Sequence, residues 1–155
     1  MKKINIIALW ILLGIFLLSI DIFIKNYIQS RYSLGQIENV TNFFNITNVH
    51  NYGAAFSLLN SFSGWQNYLL IIFALVIIFI IGKNFWNNYK NNVLSIFLIF
   101  IISGAIGNMW DRIYYKYVID YVHFHFYNYS FPVFNFADIL IFIGAIGLLI
   151  INFKK

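Results

Sequence analysis

Four long apolar segments constrain the fold of this 155-residue chain more than any other feature. They cover about residues 4–24, 65–82, 93–110 and 133–153. A helix needs about 20 largely apolar residues to cross the hydrocarbon core of a bilayer, and each segment approaches or reaches that length. The remaining residues suffice for one modest element outside the lipid. The sequence therefore predicts a single polytopic, all-α membrane domain over residues 1–155, with four transmembrane helices.

The composition agrees with a lipid environment, since 61% of the residues are hydrophobic and 10% are charged. Lys2 and Lys3 before the first apolar run imitate a signal peptide, but the run is long and lacks a small-residue cleavage site, so we expect a retained span. The chain has no cysteine. That absence excludes disulfides, zinc–thiolate sites and cysteine nucleophiles, and the chain cannot itself be a lipoprotein.

The distribution of basic residues predicts the orientation in the membrane. The formal net charge is +5, but the lysines lie at the termini and in one short loop instead of forming a basic face, so we expect no nucleic-acid partner. An even number of spans puts both termini on one side, and the excess of lysine makes that side cytoplasmic. This cytoplasmic set comprises Lys2, Lys3, Lys83, Lys90, Lys154 and Lys155. We expect a bacterial cytoplasmic (inner) membrane protein that functions near the outer leaflet.

The two external connections carry the unusual residues. In the first, residues 30–59, apolar and polar residues alternate with a period of two, as in Phe44-Asn45-Ile46-Thr47, which predicts short strands. The second, residues 111–132, is dense in Tyr, Phe and His. Such side chains prefer the headgroup level, so we expect this segment to lie along the membrane surface.

Acidic residues are scarce and their positions are informative. The five are Asp21, Glu38, Asp111, Asp120 and Asp138. Asp138 lies a few residues inside the outer end of the fourth span, where an ionisable group costs about 2.5 to 3.5 kcal/mol and calls for a function or a partner. Asp120, flanked by Ile119 and Tyr121, belongs to the segment leaving the third span. The connectivity lets Asp120 and Asp138 converge near the outer membrane surface.

Two adjacent carboxyl groups cannot both ionise readily, so such a pair shares one proton. One member then acts as general base on water and the other as general acid on a peptide carbonyl, with no metal and no cofactor. Asp138 lies near a helix N-terminus, which favours its ionised form, so we expect Asp120 to hold the proton.

Four sequence blocks resemble those of lipoprotein signal peptidases (signal peptidase II, peptidase family A8), in the order of that family. They are Asn51-Tyr52-Gly53-Ala54-Ala55-Phe56-Ser57, Gly104-Ala105-Ile106-Gly107-Asn108-Met109-Trp110-Asp111-Arg112, Val118-Ile119-Asp120-Tyr121 and Phe134-Asn135-Phe136-Ala137-Asp138. The resemblance implies a four-helix fold with an external β-cradle at about residues 30–59. It also implies the activity: an intramembrane aspartic endopeptidase that cleaves diacylglyceryl-modified prolipoproteins immediately before the lipidated cysteine.

The resemblance also implies roles for individual residues. Asp120 and Asp138 match the catalytic pair, and Asp21 and Lys25 match an ion pair at the end of the first span, four residues apart. The residues expected to bind substrate or order the site are Asn51, Gly53, Asn108, Arg112 and Asn135. Membrane lipids and prolipoproteins are the expected partners, and a monomer suffices for the chemistry.

The chain departs from the family pattern at a few positions. Ile22 and Ile24 stand where polar residues are common, and Ser103 replaces a glycine. Lys116 replaces a glycine before the first catalytic aspartate, which leaves the local backbone path open because glycine tolerates positive φ.

Other interpretations of the same residues remain open at this point. The aspartates could be structural carboxylates, or they could relay protons in a small proton-coupled transporter, although no inverted repeat supports that class. A non-enzymatic assembly subunit is a third class. His123 and His125 lack enough further ligands to predict a metal site. The pairs Gly104/Gly107 and Gly144/Gly147 are typical of close helix packing.

Overall fold

A computed structural model describes residues 3–53, 64–127 and 129–153. The order of elements is α1 (Lys3–Arg31), β1 (Ile37–Asn39), β2 (Phe44–Asn51), α2 (Trp65–Asn88), α3 (Asn92–Tyr114), β3 (Val118–Phe126), β4 (Tyr129–Ser130) and α4 (Phe136–Phe153). Some predictions lie outside the described residues. They concern Lys2, Lys154, Lys155 and residues 54–59, which include the end of the first sequence block and of the predicted cradle.

The four helices are long and apolar enough to cross a membrane, which confirms the predicted fold class. Two helix ends differ from the apolar segments for local reasons. Helix α1 continues to Arg31 because the charges of Asp21 and Lys25 lie on its buried side and compensate each other. Helix α4 begins at Phe136, since the preceding residues are extended and Asn135 provides its N-terminal cap.

Helix α3 occupies the centre of the bundle and packs against α1, α2 and α4. Small residues permit the closest approach. A Cβ atom added to Gly104 would overlap the backbone oxygen of Ala137 on α4, and one added to Gly144 would overlap Ile101 on α3. The predicted packing role of these glycines is confirmed. The apolar core beside this contact includes Leu17, Leu98 and Leu140.

The external strands form one antiparallel sheet in the order β1-β2-β3-β4. The period-two segment correctly predicted strand β2, but the polar residues of that alternation are buried. Asn48, for example, donates from Nδ2 to the backbone oxygen of Tyr32 at 2.8 Å. The sequence did not reveal that the second external segment contributes β3, the longest strand, whose Asp120 lies opposite Val49 of β2.

Strand β3 is also bound directly to the segment that leads into α4. Val122 donates from its backbone N–H to the oxygen of Phe134 at 2.8 Å and accepts from the N–H of Phe134 at 3.0 Å. The hydroxyl of Tyr121 accepts from the N–H of Phe136 at 3.1 Å. These bonds fix the distance between β3 and the first turn of α4.

Lys116, in the tight connection between α3 and β3, has a φ of 71°. This is the left-handed conformation that glycine adopts without steric cost. The sequence left the backbone path open here because lysine replaces the glycine of the family pattern. The structure shows that Lys116 adopts the left-handed conformation. Its ammonium donates to the backbone oxygen of Ile113 at 3.3 Å and lies 5.8 Å from the centre of the Tyr68 ring.

Candidate active site

Asp120 lies near the start of β3 with only 2% of its surface exposed. Its two carboxylate oxygens accept one amide donor each: Oδ1 from Asn135 Nδ2 at 2.6 Å and Oδ2 from Asn51 Nδ2 at 2.9 Å. Burial, and next the negative charge of Asp138, raise the pKa of Asp120 to about 7. The two donors act in the opposite direction but are outweighed. Asp120 is therefore suited to hold a proton near neutral pH.

Asp138 lies in the first turn of α4 and is held by a reciprocal capping arrangement with Asn135. Asn135 Oδ1 accepts from the backbone N–H of Asp138 at 3.0 Å, and Asp138 Oδ2 accepts from the N–H of Asn135 at 3.2 Å. The helix dipole favours negative charge at this position. One residue, Asn135, thus contacts both aspartates that the sequence singled out.

Asn108 of α3 connects the same groups from the other side. Its Nδ2 donates to Asp138 Oδ1 at 2.7 Å, and its Oδ1 accepts from Asn135 Nδ2 at 3.2 Å. Since Asn135 Nδ2 also bonds to Asp120, a continuous hydrogen-bonded chain runs from Asp120 through both amides to Asp138. Residues from three of the sequence blocks, on α3, on β3 and at the start of α4, therefore meet at this point.

Arg112 lies one helical turn beyond Asn108 and joins α3 to the end of β2. Its guanidinium donates to the backbone oxygen of Gly53 at 3.1 Å and to that of Asn108 at 3.2 Å. Gly53 in turn donates from its N–H to Asn51 Oδ1 at 3.0 Å, which leaves the Nδ2 of Asn51 directed at Asp120. Hydrogen bonds therefore connect Asn51, Gly53 and Arg112 to one another beside Asp120.

A buried ionic cluster lies directly behind these residues. Lys25 Nζ lies 2.8 Å from Asp21 Oδ2, within the i,i+4 pair predicted from the sequence, and 3.0 Å from Asp111 Oδ2. Sequence reasoning missed the role of Asp111, which it noted only as one of the five acids and as part of the second block. The available signal was helical spacing, because Asp111 lies one turn from Asn108 and shares its buried face of α3.

A cavity of about 640 Å³ opens beside the two aspartates. Its polar lining comes from the residues just described, whereas most of its wall is apolar and continues along α4. The lining residues are Asn51, Asn108, Arg112, Val118, Asp120, Phe131, Pro132, Val133, Phe134, Asp138, Ile139, Ile141, Phe142 and Ala145. The arrangement can receive an elongated apolar ligand with its polar end at the carboxyl groups.

His123 and His125 lie away from this cavity. Both lie an odd number of residues after Asp120 along β3, so their side chains project from the opposite face of the sheet. His123 bonds to Ser130 at 2.7 Å, and His125 bonds to Asn45 Oδ1 at 3.3 Å. Within the described ranges, no group of three His, Cys, Asp or Glu residues has the geometry of a metal site.

The fold and site define a polytopic membrane protein in which two carboxyl groups, connected through hydrogen bonds to shared asparagine residues, lie at the wall of a largely apolar cavity. Comparison with known proteins specifies the class further. The family model for signal peptidase (SPase) II matches residues 13–154, and the chain therefore belongs to the lipoprotein signal peptidase family. Membership makes it a multi-pass inner-membrane protease that removes signal peptides from lipoproteins, with prolipoproteins as substrates.

Individual relatives support this assignment over nearly the full length. The lipoprotein signal peptidase of Haemophilus ducreyi is 41% identical over 144 residues, which cover 92% of this chain and 89% of the relative. That of Buchnera aphidicola is 41% identical over 147 residues, covering 93% and 94%. A solved bacterial membrane enzyme superposes with a TM-score of 0.85 at 30% identity, covering 96% of this chain and 89% of that structure.

Proposed function

We propose that this protease is an aspartic endopeptidase in which Asp120 and Asp138 form the catalytic dyad. The observation that carries the proposal is that one amide, Asn135, bonds to both carboxyl groups at the wall of one cavity. In the proposed reaction the enzyme cleaves diacylglyceryl-modified prolipoproteins immediately before the lipidated cysteine. Neither a metal nor a cofactor takes part.

The catalytic cycle follows from the different surroundings of the two carboxyl groups. Asp138, at the helix N-terminus, is ionised and removes a proton from a water molecule, which attacks the scissile carbonyl carbon. Asp120, with its pKa raised to about 7 by burial and by Asp138, gives its proton to the carbonyl oxygen. When the tetrahedral intermediate collapses, Asp138 passes its proton to the departing amine and Asp120 recovers one from a hydroxyl of the intermediate. Both groups return to their starting states.

The neighbouring residues have positioning and binding roles in this scheme. Asn108 and Asn135 orient the dyad, while Asn51 at the end of β2 and Gly53 just after it define one edge of the site. Among the described residues, Arg112 donates to Asn108 and Gly53, and its other donors are proposed to bind substrate carbonyls. The ion pair of Asp21 and Lys25 supports the site from behind.

The proposed substrate matches the cavity in polarity. Ile139, Phe142 and Ala145 extend the apolar wall along α4, which suits the acyl chains and the signal helix of a lipidated precursor. The scissile bond would lie at the polar end. We further propose that both termini are cytoplasmic, that the dyad lies near the outer leaflet, and that residues 1–155 act as one monomeric domain.

The decisive experiment is cleavage of a purified diacylated prolipoprotein by the reconstituted protein. We expect Asp120→Asn and Asp138→Asn each to lower kcat/KM by about 1,000-fold or more, because each removes a group that transfers a proton in the transition state. Glu38→Gln is the matched control, since Glu38 is an exposed acid on β1 and should leave the rate unchanged.

Mass spectrometry of the products identifies the cleaved bond. Cleavage that persists in either aspartate variant would refute the dyad, and a new N-terminus other than the lipidated cysteine would refute the proposed specificity. Proton flux through the reconstituted protein in the absence of cleavage would favour the transporter class instead.

A further inference from the structure

Behind the proposed dyad lies a fully buried ionic triad, Asp21–Lys25–Asp111. The exposed fractions of the three residues are 0%, 1% and 2%. Burying charges costs several kcal/mol for each ion, and replacement of such groups by apolar residues is often neutral or stabilising. Stability alone is therefore a weak reason for a triad at this location, and its contacts point to a second reason.

The two carboxylates of the triad hold the backbone beside each proposed catalytic residue. Asp21 Oδ1 accepts from the N–H of Ala137 at 3.1 Å, one residue before Asp138. Asp111 Oδ2 accepts from the N–H of Ile119 at 3.2 Å, one residue before Asp120. The triad thus connects α1 and α3 to the two backbone segments that carry the dyad.

The ammonium of the triad also fixes the direction of a side-chain amide. Lys25 Nζ donates to Asn108 Oδ1 at 3.0 Å, and an ammonium group has donors only. The carbonyl oxygen of Asn108 must therefore face Lys25, which turns Nδ2 toward Asp138, 2.7 Å away. A donor to a carboxylate favours its ionised form. A reversed amide would instead present an oxygen to Asp138 and favour the protonated form.

We propose that Lys25 is a positioning residue for catalysis, which together with Asn135 orients Asn108 so that its Nδ2 donates to Asp138. The inference rests on the proposed function of the dyad and adds the means by which Asn108 is held in position. Lys25 itself touches neither catalytic carboxylate in this role and acts through Asn108.

Several titratable groups surround the dyad. In the described part of the chain, α1 contributes Asp21 and Lys25, α3 contributes Asp111 and Arg112, and β3 contributes Tyr121 beside Asp120. Strand β2 contributes the neutral Asn51, while its His50 stacks on Tyr117 on the other side of β3. Of the two cations in this group, Lys25 is the one that bonds to the side chain of Asn108.

The test is the split between kcat and KM for full-length Lys25→Met with a diacylated prolipoprotein. We expect kcat per folded enzyme to fall about tenfold while KM stays nearly unchanged, because the Asn108 oxygen then keeps only the bond from Asn135 and its Nδ2 is less well directed at Asp138. A purely structural role would lower the amount of folded enzyme and leave kcat per folded molecule unchanged. Lys83→Met, an exposed lysine on α2, is the matched control and should leave kcat unchanged.

A second pair of variants tests the route through Asn108. In an Asn108→Ala background, Lys25→Met should lower kcat much less than in the wild type, because the amide that transmits the effect is absent. An equal loss in both backgrounds, or no loss in either, would overturn the proposal. If Lys25→Met fails to fold, Lys25→Arg keeps the charge but changes the position of the donor, so kcat should fall in the wild-type background and much less in Asn108→Ala; an equal loss in both would also overturn it.

These outcomes are separable from failure of the proposed function. If Asp120→Asn or Asp138→Asn retains cleavage, the dyad itself is wrong. If both are inactive while kcat is unchanged in the Lys25 variants, the dyad stands and only the role of Lys25 is refuted.

Discussion

Helices α2 and α3 look alike in sequence but have different roles in the molecule. They contain 24 and 23 residues, and both are apolar enough to span a membrane. In the most apolar 18 residues of α3, 44% are buried within the protein, against 6% in α2. Helix α2 presents most of its side chains outward, whereas α3 touches every other helix.

The difference lies in the small and polar residues rather than in overall hydrophobicity. Helix α3 carries Gly104, Gly107, Asn108 and Asp111 on its buried faces. In a bilayer, apolar side chains gain little by moving from lipid to protein, so small and polar residues determine which helix packs centrally. In α2 the buried polar residues, Gln66 and Asn67, lie at the end near the site, where Asn67 Nδ2 donates to the backbone oxygen of Arg112 at 2.9 Å.

The largest effect should follow from adding one methyl group to α3. Gly104→Ala would force a Cβ atom into the backbone oxygen of Ala137, which cannot turn aside as a side chain can. We expect about 3 kcal/mol of destabilisation, the upper range for overpacking. Gly82→Ala in α2 is the control, since no atom lies within 4 Å of the added Cβ. Thermal unfolding in detergent should separate the two, and equal melting temperatures would contradict the central role of α3.

The next effect concerns an asparagine in each helix. Asn108→Ala removes the donor to Asp138 and the acceptor of Lys25, so we expect kcat/KM to fall about 100-fold. Asn84→Ala in α2 removes only an exposed contact with Asn88 and should leave kinetics unchanged. Comparable rates for the two variants would show that the amide chain through α3 is dispensable.

The pH dependence of the enzyme should come from Asp120, which lies on β3, the strand that follows α3. The pKa of Asp120 is raised by burial and by Asp138 to about 7. Because a general acid must be protonated to act, kcat/KM should fall about tenfold per pH unit above that value and be restored on acidification. Steady-state cleavage rates as a function of pH measure this limb. A rate that stays constant well above pH 7 would mean that Asp120 is not the proton donor.

The smallest effect should come from Lys116, at the end of α3. Lys116→Gly removes the steric cost of a positive φ but adds freedom to the unfolded chain and loses the contact with Tyr68, so we expect a net stabilisation of about 0.5 kcal/mol. Lys83→Gly in the regular part of α2 should instead destabilise by about 1 kcal/mol. Melting temperatures that fall in both variants would show that the left-handed conformation carries no strain.

The helical part of the fold was predictable because hydropathy reports directly on solvent. The strands of the second external segment were not, because Tyr, Phe and His suit both a membrane surface and a half-buried strand. Strand β3 is specified by pairing with β2, a contact between residues about 70 positions apart, as in the pair Val49 and Asp120. No local pattern encodes such a distant partner.

In the candidate site, the sequence predicted residue types better than contacts. Asp120 and Asp138 were evident because few acids occur and both lie among apolar residues. The place of Asp111 was not evident, since its partner Lys25 belongs to another helix and lies far from it in the sequence. Opposite charges adjacent in a helix point in different directions, so sequence neighbours are poor candidates for pairing.

The direct bonding of β3 to Phe134 has a practical consequence for engineering. Because the hydrogen bonds between Val122 and Phe134 link β3 directly to the segment before α4, the separation of the two proposed catalytic aspartates does not depend on the connection between β3 and β4. That connection is thus a suitable place to introduce an affinity tag or a fluorescent reporter. A single cysteine in place of Tyr127, which is 89% exposed, would be the only thiol in the molecule and would permit specific labelling at a distance from catalysis.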